Sequence, residues 1–360
     1  MPLRRFECSG YRSLLDVGFD LARVTVLVGA NGSGKSNIYR ALHLAHACAD
    51  GGLARTVVAE GGMPSIVHAG TRSGEPRVEL GLTFDDLSYQ VTLATAGRGG
   101  REGPVFPLDP VVTHEQLLLA TTGRPVELLD RQGTTAFVRD DEGTRVTLPA
   151  SLLSTESVLA QLVDAHRYPE LVEVRESLRR MRFHQQVRTD EDAPARRPGL
   201  ATRTLAVSND GADLPAALLT ILRMGDGHTL RESVRSAFGG AELHIDEDGA
   251  GRLDLQLTTP GRHRALGAAE LSDGQLRFLF LAAALLAPRP PIVVVLNEPE
   301  ASLHPELLVA LADLILAAGD RAQVVVTTHA NDLAQRLLDA PDTTSIALEV
   351  HDGVTTVSPR

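Results

Sequence analysis

Eight consecutive residues, Gly29-Ala30-Asn31-Gly32-Ser33-Gly34-Lys35-Ser36, carry the clearest chemistry in the chain. They fit the pattern G-x-x-x-x-G-K-[ST] without a mismatch. In that pattern loop N–H groups cradle phosphates, the lysine reaches the β- and γ-phosphates, and the Ser hydroxyl sits on Mg²⁺. Lys35 is the only lysine among the 35 Lys and Arg residues. An ammonium is a compact point charge, whereas a guanidinium is a wide planar fork, so a tight loop around phosphate has room for the first. In a chain that otherwise uses Arg, the retained lysine marks a position that needs its amine. Gly32 and Gly34 allow close backbone approach, and Gly29, Asn31, Ser33 and Asn37 complete the expected nucleotide-binding set.

A second group lies at Ile292-Val293-Val294-Val295-Leu296-Asn297-Glu298-Pro299-Glu300. A buried apolar strand there delivers polar residues at its C-terminal end, where ligands of open α/β sheets bind. The first polar position usually carries an Asp that holds Mg²⁺. Here it is Asn297, whose amide oxygen can still accept a hydrogen bond but brings no negative charge. That weakens the expected hold on magnesium. Glu298 is placed to orient or deprotonate an attacking water. Thr327-Thr328-His329 ends the next apolar strand, and His329 stands where an imidazole can contact a γ-phosphate.

Leu271-Ser272-Asp273-Gly274-Gln275 precedes an apolar helix. Physically it is a serine at a helix N-terminus, an anion site. It resembles the LSGGQ signature of ABC-type ATPases, with Asp273 in place of a Gly. These motifs follow one another in that superfamily's order. The chain as a whole resembles an ABC-type ATPase head of the SMC/RecF/OLD-like group. Phe6-Glu7-Cys8-Ser9-Gly10-Tyr11-Arg12-Ser13-Leu14 is similar to that group's opening strand and turn, which makes Arg12 a candidate nucleotide contact. Asn-Glu-Pro-Glu followed by Ser302-Leu303-His304-Pro305 looks like a branch of small bacterial ATPases loosely termed the AAA family. The resemblance implies ATP and Mg²⁺ as cofactors. Ser36 and Asn297 would serve the metal together with a glutamine, Gln185 or Gln186. The signature motif would act in trans, with Ser272, Gly274 and Gln275 of one subunit closing over ATP held by Lys35 of the other. It also implies a homodimer on ATP binding, with DNA and a nuclease or effector protein as further partners.

The elements that must position these residues are legible in the periodicity. Residues 3–9 and 16–28 read as strands, and 36–49 as a helix after the glycine loop. Strand, loop and helix in that order place successive N–H groups at an anion. Residues 50–76 read as loop. From 78 to 148 alternating segments (78–84, 88–94, 125–130, 134–139) read as an antiparallel sheet. Residues 151–182 switch to helical period, 189–202 read as a mobile loop, and 213–237 are helical again. Strands follow at 241–246 and 252–258. A helix (275–287), strand (292–296), helix (305–318), strand (324–328) and a helix from 331 then alternate as in a parallel α/β sheet. The fold class expected is therefore α/β: a phosphate-loop NTPase of ABC-ATPase type, with a mixed central sheet, an antiparallel β subdomain and a helical lobe. The division expected is a core lobe from 1–50 and 265–360, a β subdomain over 51–150, and a helical lobe over 151–264.

Composition bounds what remains. At 360 residues the chain can bury a full core, and its 43% hydrophobic and 22% charged content is ordinary for a globular protein. A net charge of −11 argues against a uniformly basic nucleic-acid surface. Arg175, Arg179, Arg180, Arg182, Arg188, Arg196, Arg197 and Arg203 could track phosphates, or form a solvated face with the acids between them. Cys8 and Cys48 have no metal or disulfide spacing, which fits a reducing cytoplasm. No run approaches the ~18 apolar residues of a membrane span, and no apolar stretch of signal-peptide length follows Met1-Pro2-Leu3-Arg4-Arg5. Two functions compete: an ATPase acting on DNA in repair or phage defence, its nuclease supplied by a partner, and a slow nucleotide-gated switch that docks a partner protein. A transporter's ATPase subunit is a third, weaker reading.

Overall fold

The computed structural model describes residues 1–70, 75–95, 106–148 and 152–359. Residues 71–74 of the expected 50–76 loop, and residue 151 at the start of the expected helical stretch, lie outside them. The contacts divide the chain into two units. One comprises Met1–Ala22, Leu27–Met181 and Ser345–Arg360, and the other Arg23–Val26 and Arg182–Thr344. These boundaries fall elsewhere than at 50, 150 and 264.

The first unit opens with the antiparallel hairpin β1 (Arg5–Tyr11) and β2 (Leu14–Asp20). Residues 16–28, read as one strand, are broken at 21–23. Strand β3 (Val24–Val28) starts afresh with every residue buried and is divided between the two units. The phosphate loop follows, then helix α1 (Lys35–Asp50), whose Ile38, Ala41, Leu42 and Ala45 face the core. The expected loop over 50–76 instead contains α2 (Leu53–Ala59) and α3 (Met63–Ile66). Their apolar residues Leu53, Val57, Met63 and Ile66 are buried, and burial of this kind outweighs the glycines that suggested a loop. Strands β4 (Arg77–Thr83), β5 (Leu87–Thr95), β6 (Pro110–Leu119), β7 (Val126–Gln132), β8 (Thr135–Arg139) and β9 (Arg145–Thr147) join the opening hairpin. The result is one eight-stranded sheet in the order β2-β1-β4-β5-β6-β7-β8-β9, with every pairing antiparallel. The helical stretch over 151–182 resolves into α4 (Val158–Gln161) and α5 (Pro169–Arg179), and both pack on α1.

One buried network ties this sheet to α4. The Glu115 carboxylate accepts hydrogen bonds from Tyr89 Oη at 2.9 Å, Ser157 Oγ at 2.6 Å and Val158 N at 2.9 Å. Arg131 lies 3.7 Å from it and donates to the carbonyls of Gly133, Leu153 and Glu156. Both side chains are fully buried. A buried charge pair is tolerated only when its remaining donors and acceptors are satisfied in this way.

The second unit begins with β10 (Arg182–His184), then β11 (Gly199–Leu200), α6 (Leu214–Met224) and α7 (Gly227–Ala237). Strands β12 (Glu242–Glu247), β13 (Arg252–Thr258) and β14 (Leu266–Gly267) form a small antiparallel sheet with β11. Helix α8 (Asp273–Leu285), strand β15 (Val293–Asn297), helix α9 (Leu307–Gly319), strand β16 (Gln323–Thr328) and helix α10 (Asn331–Leu338) follow. Strands β10, β15 and β16 run parallel, with His184 level with Leu296 and Asn297 level with Thr327. Their C-terminal ends therefore share one edge. Strand β17 (Thr343–His351) leads back to the first unit and turns into β18 (Val354–Pro359). The turn is Asp352-Gly353, both at positive φ, the dipeptide that two-residue hairpins favour.

Candidate nucleotide site

The phosphate loop is held from below by its own unit. Lys35, 3% exposed, donates Nζ to the carbonyls of Gly29 at 2.7 Å and Ala30 at 3.0 Å, closing the loop on itself. Gly34, at φ 100°, caps α1 with no side chain, and a Cβ there would lie 2.2 Å from Thr355 Oγ1. A Cβ on Gly29 would lie 2.6 Å from the Leu348 carbonyl oxygen. Only glycine fits either place. Thr355 of β18 donates its hydroxyl to Ser33 O at 3.1 Å and lies 2.7 Å from Ser13 Oγ, which accepts from Asn37 Nδ2 at 2.8 Å. Asn37 is thus occupied as a brace within its own unit. Ser33 Oγ is buried and has no hydrogen-bond partner among the described residues. An uncapped helix N-terminus, an ammonium and an orphaned buried hydroxyl together suit a phosphate. Ser36 is exposed at the first turn of α1, as are Asn31 and Gly32 in the loop.

Arg12 is engaged elsewhere. Its guanidinium donates to Glu60 Oε2 at 2.7 Å, and Tyr11 Oη donates to the same oxygen at 2.6 Å. Its backbone is left-handed, at φ 49°. In this arrangement Arg12 secures α2 to the opening hairpin.

The second unit gathers a different cluster where β10, β15 and β16 end. Asn297 is buried, and its Oδ1 accepts from Thr327 Oγ1 at 2.7 Å. Glu298 sits at φ 50°, a conformation that costs a non-glycine residue about 1–3 kcal/mol. Hydrogen bonds to Thr327 and Arg277 help to hold it there. Its N–H reaches Thr327 O at 2.9 Å and Thr327 Oγ1 at 3.2 Å, and its carbonyl oxygen accepts from Arg277 Nη2 at 3.0 Å. Arg277 lies on α8, two residues past the signature motif, and is buried. Burial lowers its pKa, while the carboxylates of Glu300 and Glu298 work the other way. His329, half-exposed, brings Nδ1 within 3.9 Å of Glu298 Oε1 and 3.3 Å of Glu300 Oε1. Gln185 leaves β10 at the same edge and is exposed, as is its neighbour Gln186. Beside them His184 is buried edge-on to Phe280, and burial, then Arg182, pushes its pKa down to about 4.

The signature motif forms a reciprocal helix cap. Ser272 Oγ accepts from Gln275 N at 3.2 Å, and Gln275 Oε1 accepts from Ser272 N at 3.0 Å. Gly274, in the first turn of α8, has ordinary clearance, the nearest atom to a Cβ being Ser302 O at 3.4 Å. Asp273, the departure from the usual glycine, is the counter-ion of Arg196 at 2.7 Å. Arg196 also donates to the carbonyls of Leu271 at 2.7 Å, Ala269 at 3.2 Å and Thr189 at 2.8 Å. The 189–202 segment, expected to be mobile, is thereby fastened to the signature loop, because one guanidinium satisfies carbonyls on both. Arg175, Arg179, Arg188 and Arg197 are likewise paired with acids close in sequence. The arginine-rich segment therefore spends much of its charge internally.

Sequence reasoning missed the roles of Thr355, Arg196, Arg277 and Glu300. Glu300 stood inside a recognised motif, Arg277 two residues past another, and Arg196 in the arginine-rich segment. Among the described residues no group of three or more His, Cys, Asp or Glu could hold a metal ion, and no helix is long and apolar enough to cross a membrane.

Known proteins place this architecture. The chain is similar to an SMC head bound to the C-winged helix domain of ScpA, with a TM-score of 0.59 at 17% identity, covering all of this chain and 98% of that one. It is similar to the Smc head of Pyrococcus furiosus with an extended coiled coil, bound to the C-terminal domain of ScpA (TM-score 0.54, 15% identity, 100% and 96% covered). The SMC head domain of Thermotoga maritima gives a TM-score of 0.51 at 17% identity, with 100% and 99% covered. At such identities the likeness shows the fold, that of an SMC-type phosphate-loop ATPase head. No curated protein matches the sequence. A family model described as AAA domain, putative AbiEii toxin, Type IV TA system matches residues 24–333. That match spans most of the chain, from β3 to α10, and both motif clusters fall inside it. The chain therefore belongs to this AAA-domain family, as an AAA-type ATPase with an SMC-head-like fold.

Proposed function

We propose that the chain binds ATP with Mg²⁺, hydrolyses it, and pairs with a second copy around two nucleotides. The observation that carries this reading is Glu298, held in a left-handed backbone at the end of β15 by Thr327 and Arg277, with His329 beside it. Strain of this kind persists where surrounding contacts over-determine it, as at catalytic positions. Glu298 accepts the proton of the attacking water. His329 contacts the γ-phosphate, and Lys35 with the loop N–H groups holds the β- and γ-phosphates. Ser36, Asn297 and Gln185 would hold Mg²⁺ through hard, neutral oxygen donors, and the ion would supply charge neutralisation on the phosphates. Ser272, Gly274 and Gln275 of the second copy close over the nucleotide, and Arg12 joins it on leaving Glu60.

The family's description as a putative toxin of a toxin–antitoxin system supports a defence role. The ScpA-bound SMC heads support docking of a partner protein. DNA is the partner on which the ATPase cycle would act. Steady-state phosphate release with and without DNA tests this: DNA-stimulated turnover is expected, and unchanged turnover contradicts a DNA-directed motor. Light scattering of Glu298→Gln is expected to show a dimer with ATP and a monomer without, whereas a monomer in both conditions removes the dimer. One observation favours a second reading, a nucleotide-gated switch with slow turnover. Asn297 is neutral, and its oxygen already accepts from Thr327.

A further inference from the structure

The turn after β15 contains a second carboxylate with no part in the scheme above. Glu300 is only 6% exposed, against 30% for Glu298. Its Oε1 accepts from Thr328 Oγ1 at 2.6 Å and from the His329 N–H at 3.1 Å. Thr328 Oγ1 in turn accepts from Ala330 N at 3.0 Å. One carboxylate oxygen therefore fixes three successive residues, 328 to 330, where β16 gives way to α10. The same oxygen lies 3.3 Å from His329 Nδ1, nearer than the Glu298 carboxylate at 3.9 Å. Glu300 Oε2 is buried with no hydrogen-bond partner among the described residues. A buried carboxylate acts through less screening than an exposed one.

We infer that Glu300 is the positioning residue of His329: it fixes the backbone of 328–330, keeps Nδ1 on its own side of the ring, and leaves Nε2 for the phosphate. This inference rests on the hydrolysis reading for its use, but its geometry is independent of turnover. The charged groups facing the ring are Glu298 and Glu300 from the turn after β15. Arg277 of α8 is buried near both, and Asp332 lies in the first turn of α10. Glu300 is the most buried of the carboxylates that reach the ring. Removing its charge should therefore weaken the protonated ring more than a merely structural loss would.

The experiment uses the full chain and its Glu300→Gln, Glu300→Asp and His329→Gln variants, each checked for folding by thermal unfolding. The His329 ring is titrated by NMR, its signal assigned by its absence in His329→Gln, and phosphate release from ATP with Mg²⁺ is followed in parallel. Glu300→Gln is expected to lower the His329 titration midpoint by roughly one pH unit. It should also cut kcat about tenfold while KM for ATP stays within about twofold. Glu300→Asp should restore part of both. If Glu300→Gln does not fold, Glu300→Asp carries the same comparison, with a smaller shift expected. A His329 midpoint that is the same in wild type and variant overturns the inference, whatever the turnover. A shifted midpoint in a chain that never releases phosphate upholds the positioning role and overturns the hydrolysis reading instead.

Discussion

His184 shows how one buried side chain carries a measurable signature of this fold. It ends β10, one residue before Gln185, with its Nδ1 unpartnered among the described residues. Burial first, and Arg182 second, hold its pKa at about 4 against an ordinary 6.5. The unfolded chain takes up this proton near neutrality and the folded chain only at much lower pH. Between those values the unfolded state binds more protons, so stability falls as pH falls. The linkage amounts to about 3 kcal/mol once both limits are passed. Denaturant unfolding of wild type and His184→Leu from neutral to acid pH should show a steeper acid loss in wild type. Parallel curves would exclude the effect. The strand that His184 ends was not legible, because three residues leave no periodicity of their own after a stretch with helical period. Its burial was not legible either, because Phe280 comes from α8, far along the chain.

At the scale of elements, local patterns placed most strands and helices, and long-range pairings decided what holds them. Strand, glycine loop and helix could be read over 24–49 because every cue lies within one stretch. The brace beneath that loop could not, since Thr355 comes from a strand 322 positions away. The hairpin that carries it did leave a signal, the Asp352-Gly353 turn. The 189–202 segment looked like a mobile loop from its prolines and charges. Arg196 reverses that reading by fastening the segment to the signature loop, and it also accounts for Asp273. Arg196→Ala is expected to lower unfolding free energy by about 2 kcal/mol, since it removes several charge-assisted hydrogen bonds to carbonyls. A double-mutant cycle with Asp273→Ala should return a coupling of about 0.5–1 kcal/mol, the partner being exposed. Strict additivity would show that the pair does not couple.

At the scale of the molecule, the family and the SMC-type fold establish an AAA-type ATPase, and the two units each bring one chemical cluster. Lys35 and its braced loop suit a triphosphate. The edge of β10, β15 and β16 brings Gln185, Asn297, Glu298 and His329 together. Motif order made those residues legible as candidates. The hydrogen bonds that hold them, through Thr327, Arg277 and Glu300, could not be read from it. The central claim is that Glu298 activates water on ATP held by Lys35. Its most direct test is single-turnover phosphate release by wild type and Glu298→Gln, with ATP affinity measured on both. The account predicts that Glu298→Gln binds ATP as wild type does and releases phosphate at least ~100-fold more slowly. Equal release rates in the two proteins would contradict it.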